Sequence, residues 1–549
     1  MSVRPLSSRA LRVAIGLTAL GLALSACSSS ETPAADPSSS TSSSADAGTP
    51  VDGGDLTFAI GNDPISVNPA GIGSGNDTLY VTRQIVDSLT WQDPSDGSLK
   101  PWLATTWEAN ADQTEFTFTL RDGVTFSDGT PFTAASVKAN FDDAVAAGAK
   151  SSAAASFIGY KETTVVDDHT VKVTFSTPNA AFPQATSSVA LGFLADSTLK
   201  LPFDDRASGT GVIGTGPFVL DHYTKDTETV LTASDGYAWG PADRKGAGAP
   251  HLAKVTFQVA PEASVRTGSL TSGQVQAIGG VQPTDIETLQ GAGLELVSRA
   301  NPGIPFGLTF NESSDIGKDP AVREAISLAV NPTEIRDTAL SEGFKVAVGP
   351  LASTTPGVAD ESSHLVTDPA KAANVLEADG WAKGSDGIYA KGGKKLAPTL
   401  AWITNFSPNQ TSVELIQSEL KAVGIDVQLW SGAVPDFQAK LADGSFDLVW
   451  GNLSRADGDV LRTQYSTTAT NFYRIDDPTL EDLLTKQLAT GDVTERNALL
   501  AQAQERLVTQ HHVIPVHELT TYLGLSKKAH GIELGADSRL DQLTTAWVD

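Results

Sequence analysis

Three histidines crowd one region near the end of the chain, at 511, 512 and 517. The segment "HELTT" at 517–521 opens like the helix of a zinc protease. There, two histidines four residues apart hold the metal and the glutamate acts as base. Thr521 stands where the second histidine is needed. His511 and His512 are adjacent, so they do not share a helix face, and His517 follows Pro515 in a stretch that reads as strand. A solvated helix end explains the pair better than a metal site. The chain has neither a G-x-S-x-G elbow nor a phosphate-cradling G-x-x-x-x-G-K-[ST] loop. The glycines of "GIGSG" (71–75) lack the helix start of a dinucleotide site and read as a loop. Cys27 is the only cysteine, so no internal disulfide or cysteine-based metal centre can form. The expectation is a protein that is not an enzyme and carries no cofactor or metal.

Binding chemistry is better supplied. Trp402, Phe406, Trp430 and Trp450 fall at or near expected strand ends, where open α/β sheets hold ligands. Aromatic walls accept varied groups by apolar contact, although the same side chains could pack a core. In "WGNLSRADGDVL" (450–461), Arg455 offers a planar fork suited to a carboxylate or phosphate. Its alternative is a surface ion pair with Asp457 or Asp459.

The elements that must position these residues alternate between strand and helix. "LTFAI" reads as a strand closed by "GNDPISVNP", and 77–89 has helical spacing with Asp77 as N-cap. "TEFTFTLRDG" alternates at period two and ends in Asp122-Gly123, a tight-turn signal. "VTFSDG" then reads as a short return strand, after which Thr133 caps a helix over 134–147. "TVKVTFSTP" and "KVTFQVA" are further strands. "DPAVREAISLAV" and "DPAKAANVLEADGW" each start a helix with Asp-Pro. "SVELIQSELKAVGIDVQLW" is a helix stopped by Gly424 and followed by a strand, and "ERNALLAQAQERLVTQHH" is a helix before "VIPVHEL". The predicted class is α/β with mixed sheets flanked by helices.

The first residues carry different information. Arg4, Arg9 and Arg12 precede a short apolar run, Val13 to Leu24, too short for a bilayer span of about 20 residues. It ends in "LSAC", matching a bacterial lipobox in which Cys27 receives diacylglycerol. Residues 1–26 are therefore expected to be a lipoprotein signal peptide and 27–54 a disordered Ser/Pro-rich tether. That leader holds three of the 38 basic residues and none of the 65 acidic ones, so the remaining chain has a formal charge of −30. Such a surface argues against nucleic acid as a partner.

These segments, together with "KPWLATTWEANADQTEFTFTLRDGVTFSDGTPFTAASVKANF", "GTGPFVL", "LTFNESSDIGKDPAVREAISLAVN" and "GSFDLVWGN", resemble the extracytoplasmic solute-binding proteins of bacterial peptide and nickel ABC importers. The resemblance runs from about residue 55 to the end. It implies a two-lobed periplasmic-binding-protein-like fold of type II with the ligand cleft between the lobes. Residues 55–306 would form lobe I, with an extra subdomain at 85–204; 307–512 would form lobe II, and 513–549 would return to lobe I. It further implies a monomer anchored on the extracytoplasmic face of the cell membrane, serving permease and ATPase subunits. The solute would be a peptide or peptide-like compound. Nickel complexes and oligosaccharides are the alternatives within the class, and a secreted hydrolase is the alternative outside it. In peptide-binding relatives an acid pairs with the ligand's amine four residues before a proline; here Gly458 replaces the proline and Ser454 the acid. The ligand contacts expected on this basis are Asn76, Trp402, Phe406, Trp450, Asn452, Ser454, Arg455 and Asp457.

Because no other thiol exists, Cys27→Ser should abolish lipidation and release the protein from membranes. A single acyl chain binds only marginally, whereas a diacylglyceryl group supplies two. Intact-mass measurement and membrane fractionation check this: a variant that keeps its lipid mass and stays with the membrane refutes the anchor.

Overall fold

"LTFAI" is apolar except for the half-buried Thr57 because its strand is covered on both faces. In the computed structural model it forms Gly54–Ile60, with Phe58, Ala59 and Ile60 all buried. The structure describes residues 48–71, 75–244, 248–404 and 406–549. The expected signal peptide, Cys27, most of the tether and the middle of the "GIGSG" loop lie outside the described residues. Residues 49–549 form one compact unit.

Among the described residues Gly54–Ile60 lies within a seven-stranded sheet. The order is Glu295–Ala300, Thr520–Leu525, Ala277–Ile278, Gly54–Ile60, Leu252–Val259, Glu228–Ala233 and Phe218–Thr224. Gly54–Ile60 runs parallel to both neighbours, while the remaining pairs are antiparallel. A second sheet has five strands, ordered Gln428–Gly432, Thr399–Ile403, Leu448–Ser454, Gly303–Phe310 and Val513–His517. Its first three strands are mutually parallel and its last two pairings antiparallel. Each sheet has its own buried core, one around Phe58, Tyr80 and Phe257, the other around Phe310, Ile326 and Trp450. No helix among the described residues is long and apolar enough to cross a membrane.

The chain passes between the two sheets twice, at Asn301–Pro302 and at Glu518–Leu519. Gly303 begins the first strand beyond the crossing at φ +107°, a conformation that disfavours side chains, and a Cβ there would lie 2.2 Å from the Leu453 carbonyl oxygen. Backbone packs on backbone at that point.

A four-stranded antiparallel sheet, in the order Ala104–Ala109, Glu115–Leu120, Thr170–Phe175 and Tyr160–Asp167, stands on a third core rich in phenylalanine. The sequence "RDGVTFSDGTPF" differs here from its expected form. Glu115–Leu120 pairs with Ala104–Ala109 and Thr170–Phe175, not with "VTFSDG", which instead closes on itself through a Thr125–Pro131 bridge. The two Asp-Gly turns, with Gly123 and Gly129 at positive φ, direct Phe126 and Phe132 into the core. Phe132 meets Phe193 edge-on with ring centroids 4.9 Å apart. The helix Ala134–Ala147 starts where expected, and the Ser136 hydroxyl accepts the Thr133 backbone N–H.

The first long helix is Asn76–Ile85, shorter than the predicted 77–89. Asp77 does not cap it: its carboxylate lies within the first turn and accepts both the backbone and side-chain N–H of Asn62. The helix stops because "GTG" packs against its last turn. Gly216 donates its N–H to the Ile85 carbonyl at 2.9 Å, and a Cβ on Gly216 would fall 2.4 Å from the Ile85 carbonyl carbon. Asp87 follows, fully buried, accepting from Trp239 Nε1 (2.9 Å), the Tyr237 hydroxyl (3.0 Å) and Gln542 Nε2 (2.6 Å). Burial raises its pKa to about 6, against the lowering effect of those donors.

Gly216→Ala should destabilise the protein by about 1–3 kcal/mol or more, since the obstructing atoms are backbone and cannot rotate away. Urea unfolding checks this. A variant as stable as the parent would mean that the helix end yields freely.

Candidate functional site

The two crossings bring one end of the five-stranded sheet against the seven-stranded sheet, and a buried polar chain ties them. Thr521 Oγ1 donates to Asn301 Oδ1 (2.8 Å), Asn301 Nδ2 donates to Ser454 Oγ (3.4 Å), and Gly303 N–H donates to Thr355 Oγ1 (2.8 Å). Such groups must be hydrogen-bonded when removed from water. Ser454 is therefore a member of the junction, 8% exposed.

Next to this junction stand stacked aromatics. Phe306 lies between Phe406 (centroids 5.7 Å apart, planes 15° apart) and Trp450 (5.6 Å, 21°). His517 packs on both Phe306 (5.0 Å) and Trp450 (5.5 Å). The Trp450 indole N–H donates to Asn409 Oδ1 at 3.0 Å. On the same strands opens a cavity of about 100 Å³, lined among others by Ile304, Phe306, Asn409, Trp450, Asn452, Gln464, Tyr465 and Tyr473. Whole-ligand pockets run to several hundred Å³, so this space fits one side chain or ring rather than a complete solute. Burial raises the Tyr473 hydroxyl to about 12, so it is a hydrogen-bonding group that does not ionise at neutral pH.

The loop after Leu448–Ser454 sorts its charges. Asp457 is buried and forms a two-pronged pair with Arg496, at 2.6 and 3.0 Å. Burial pushes that carboxyl up, but Arg496 prevails and holds it below the usual range. Asp459 is also buried and accepts from Arg462 (2.8 and 2.7 Å) and from Gln487 Nε2 (2.5 Å). Neither acid reaches Arg455. That side chain is open to solvent yet hemmed in by protein. Desolvation, and then the charge of Arg539, push its pKa down from the ordinary arginine value, though arginine stays charged. Arg539 Nε donates to Asn76 Oδ1 at 3.1 Å, which fixes Asn76 at the start of its helix.

The expected contacts thus separate. Phe406, Trp450 and Asn452 converge on or beside the cavity, with Trp450 serving the core as well. Trp402, beside Trp450 in strand register and 7% exposed, belongs to the core. Trp430 packs in a satellite cluster under Lys440. Arg455 and Asn76 sit on the two sheets' facing segments, whereas Asp457 and Ser454 are occupied by protein partners. Sequence reasoning missed Phe306 as a stacking residue, together with Arg539, Tyr465 and Tyr473. Phe306 carried a signal, being apolar at the expected crossing; Arg539 carried none, since its role depends on a helix over 450 residues away. Of the three histidines, His512 is held between Glu312 and Asp477, His517 joins the aromatics, and among the described residues no group of three or more metal-ligating side chains forms.

Arg496→Ala should cost about 3–5 kcal/mol, because it strands a buried carboxylate. Chemical denaturation tests this, and a loss below about 1 kcal/mol would mean that Asp457 finds water. Burial lowers His517 to about 4. A buried neutral histidine contributes stability that is fully present above about pH 6.5 and is lost as pH falls through about 4. At its fullest this amounts to roughly 3 kcal/mol. Asp87, raised to about 6, titrates across an overlapping range with the opposite sign, so the informative quantity is a difference. Stability of His517→Gln minus that of the parent should rise as pH falls from 6.5 to 4; a flat difference would show that the imidazole is not shielded.

Comparison with known proteins agrees with this geometry. The family model described as "Bacterial extracellular solute-binding proteins, family 5 Middle" matches residues 98–474. The nickel-binding periplasmic protein of Escherichia coli is 27% identical over 82% of this chain and 87% of its own. The dipeptide-binding protein of Pseudomonas aeruginosa is 24% identical over 88% and 93%. Among solved structures, NikA from Brucella suis in complex with Fe(III)-EDTA superposes with a TM-score of 0.77 at 26% identity, covering 90% of this chain and all of that one. DppA from Helicobacter pylori in complex with the peptide STSA gives 0.73 at 23%, covering 91% and 98%, a likeness of fold. With more than half its length matched by the family model, and with two sheets joined at an aromatic-lined junction, this chain belongs to the bacterial extracellular solute-binding proteins of family 5.

Proposed function

We propose that the protein is the lipid-anchored substrate-binding component of an ABC importer, capturing a small solute and delivering it to a separate membrane permease. Divided at the two crossings rather than at 306–307 and 512–513, residues 55–300 with 520–549 would form one lobe and 303–517 the other. The observation that carries this reading is the junction itself. Two chain crossings join the sheets, and the Phe406–Phe306–Trp450 stack is built on strands that run from them, Gly303–Phe310 and Leu448–Ser454. A solute touching both lobes would favour the closed arrangement by its differential affinity for it. The relatives named for dipeptides and for nickel support a peptide-like solute, with chelated nickel as the second reading.

Native mass spectrometry of gently purified mature protein should reveal one retained solute per chain. Dipeptide mixtures, or nickel(II) with histidine, should raise the unfolding midpoint; a ligand at a hundred times its Kd adds about 2.7 kcal/mol. Peptides should survive prolonged incubation uncleaved. Sustained multiple turnover by homogeneous protein would overturn the importer reading in favour of a hydrolase.

A further inference from the structure

We propose that Arg455 and Arg539 together hold a carboxylate of the captured solute, so that the solute docks at the end of Leu448–Ser454 by its acidic end. The inference rests on the solute-binding reading above and names the chemistry of one end of the cargo.

Arg455 is anchored through its backbone, whose N–H donates to the Pro302 carbonyl at 3.0 Å. Its guanidinium has one hydrogen bond among the described residues, from Nη1 to the adjacent Ser454 carbonyl at 2.9 Å. A guanidinium carries five N–H donors in a flat fork, so most of this one is unused. The acids beside it in sequence cannot serve it, because Arg496 occupies Asp457 and Arg462 with Gln487 occupy Asp459. No ion pair involves Arg455 among the described residues, and the one charged group acting on it is another arginine.

Arg539 comes from the other side, in the turn closed by the Leu534–Leu540 bridge next to the seven-stranded sheet's helix. It is aimed by two hydrogen bonds, Nε to Asn76 Oδ1 (3.1 Å) and Nη1 to the Asp537 carbonyl (2.7 Å). Its second terminal nitrogen has no partner among the described residues. Asp537 is the nearby acid, but its carboxylate accepts the Arg539 backbone N–H at 3.0 Å and acts electrostatically on Arg299. The Ser538 hydroxyl, next to Arg539, donates to the Ala300 carbonyl at 2.7 Å, and Arg455 N–H donates to that of Pro302, so the two arginines flank one crossing and each keeps free donors. Like charges placed this way repel until an anion comes between them, and a carboxylate can accept from both forks at once. An ammonium group would meet both guanidinium groups there, with Asp537 as the nearby acid.

The test uses the mature protein and four variants, Arg455→Gln, Arg455→Lys, Arg539→Gln and, as control, Lys440→Gln on the Trp430 face. The probes are a dipeptide library as free acids, the same library as C-terminal amides, and citrate. Because Arg455 supports no fold contact beyond its neighbour's carbonyl, Arg455→Gln without solute should unfold at the parent's midpoint or above it. Free acids should bind about tenfold to a hundredfold better than amides, the range for a charged hydrogen bond. Each arginine-to-glutamine variant should lose that preference, Arg455→Lys should recover part, and the control should keep it all. A response to citrate alone, lost in both glutamine variants, would support the clamp with a non-peptide acid as cargo. Amides binding as well as acids, or both glutamine variants binding acids like the parent, would overturn the clamp while leaving solute binding intact. No response to any probe would overturn the clamp and the peptide reading together.

Discussion

Everything distinctive about this molecule depends on the chain crossing twice between two sheets within a few residues of the same place. Asn301–Pro302 and Glu518–Leu519 leave no room for side chains at Gly303, where a Cβ would meet the Leu453 carbonyl at 2.2 Å. The polar groups trapped there are satisfied by one another, through Thr521, Asn301 and Ser454. Buried hydrogen bonds of this kind fix a single arrangement more than they add net stability, because leaving one unmade is the expensive outcome. Under the proposed function, two thin connections would let the two lobes move as units about this junction.

The site inherits its character from that junction. Phe306 sits three residues beyond Gly303, so the strand that completes the crossing also supplies the centre of the aromatic stack. His517 ends the return strand and packs on the same ring, shielded enough for burial to lower it to about 4. The acids of the 450–461 loop turn inward and are neutralised by Arg496 and Arg462, which removes them from any ligand and leaves Arg455 as the loop's outward charge. Where peptide-binding relatives are expected to present an acid, this chain has Ser454, with Arg455 next to it.

Much of the fold was legible locally. The Asp-Pro helix starts at Asp319 and Asp368 form as side-chain caps, to the N–H groups of Ala321 and Lys371. The helix Ala134–Ala147 begins at its expected residue, and Gly424 ends its helix at φ +94°. These features depend on a few neighbouring residues, and capping and positive φ are short-range effects. Asp77 and "VTFSDG" were misread because their partners are distant or unexpected. Asn62 draws Asp77 into the helix, and the neighbouring strands leave no edge on Glu115–Leu120 for a return strand to join.

By itself the sequence determined the element types, the mixed α/β class and the kinship with solute-binding proteins. Those follow from periodicity, turn residues and long ordered segments that any similar fold would require. It also exposed Trp450 and Arg455 as residues of interest. Only the tertiary structure decided which of the candidates meet. Trp402 turns into the core, Asp457 is claimed by Arg496, and Asn76 joins Arg539 across 463 positions of chain. Side-chain partnerships over such separations are set by how sheets pack and where the chain crosses, and no local pattern encodes them.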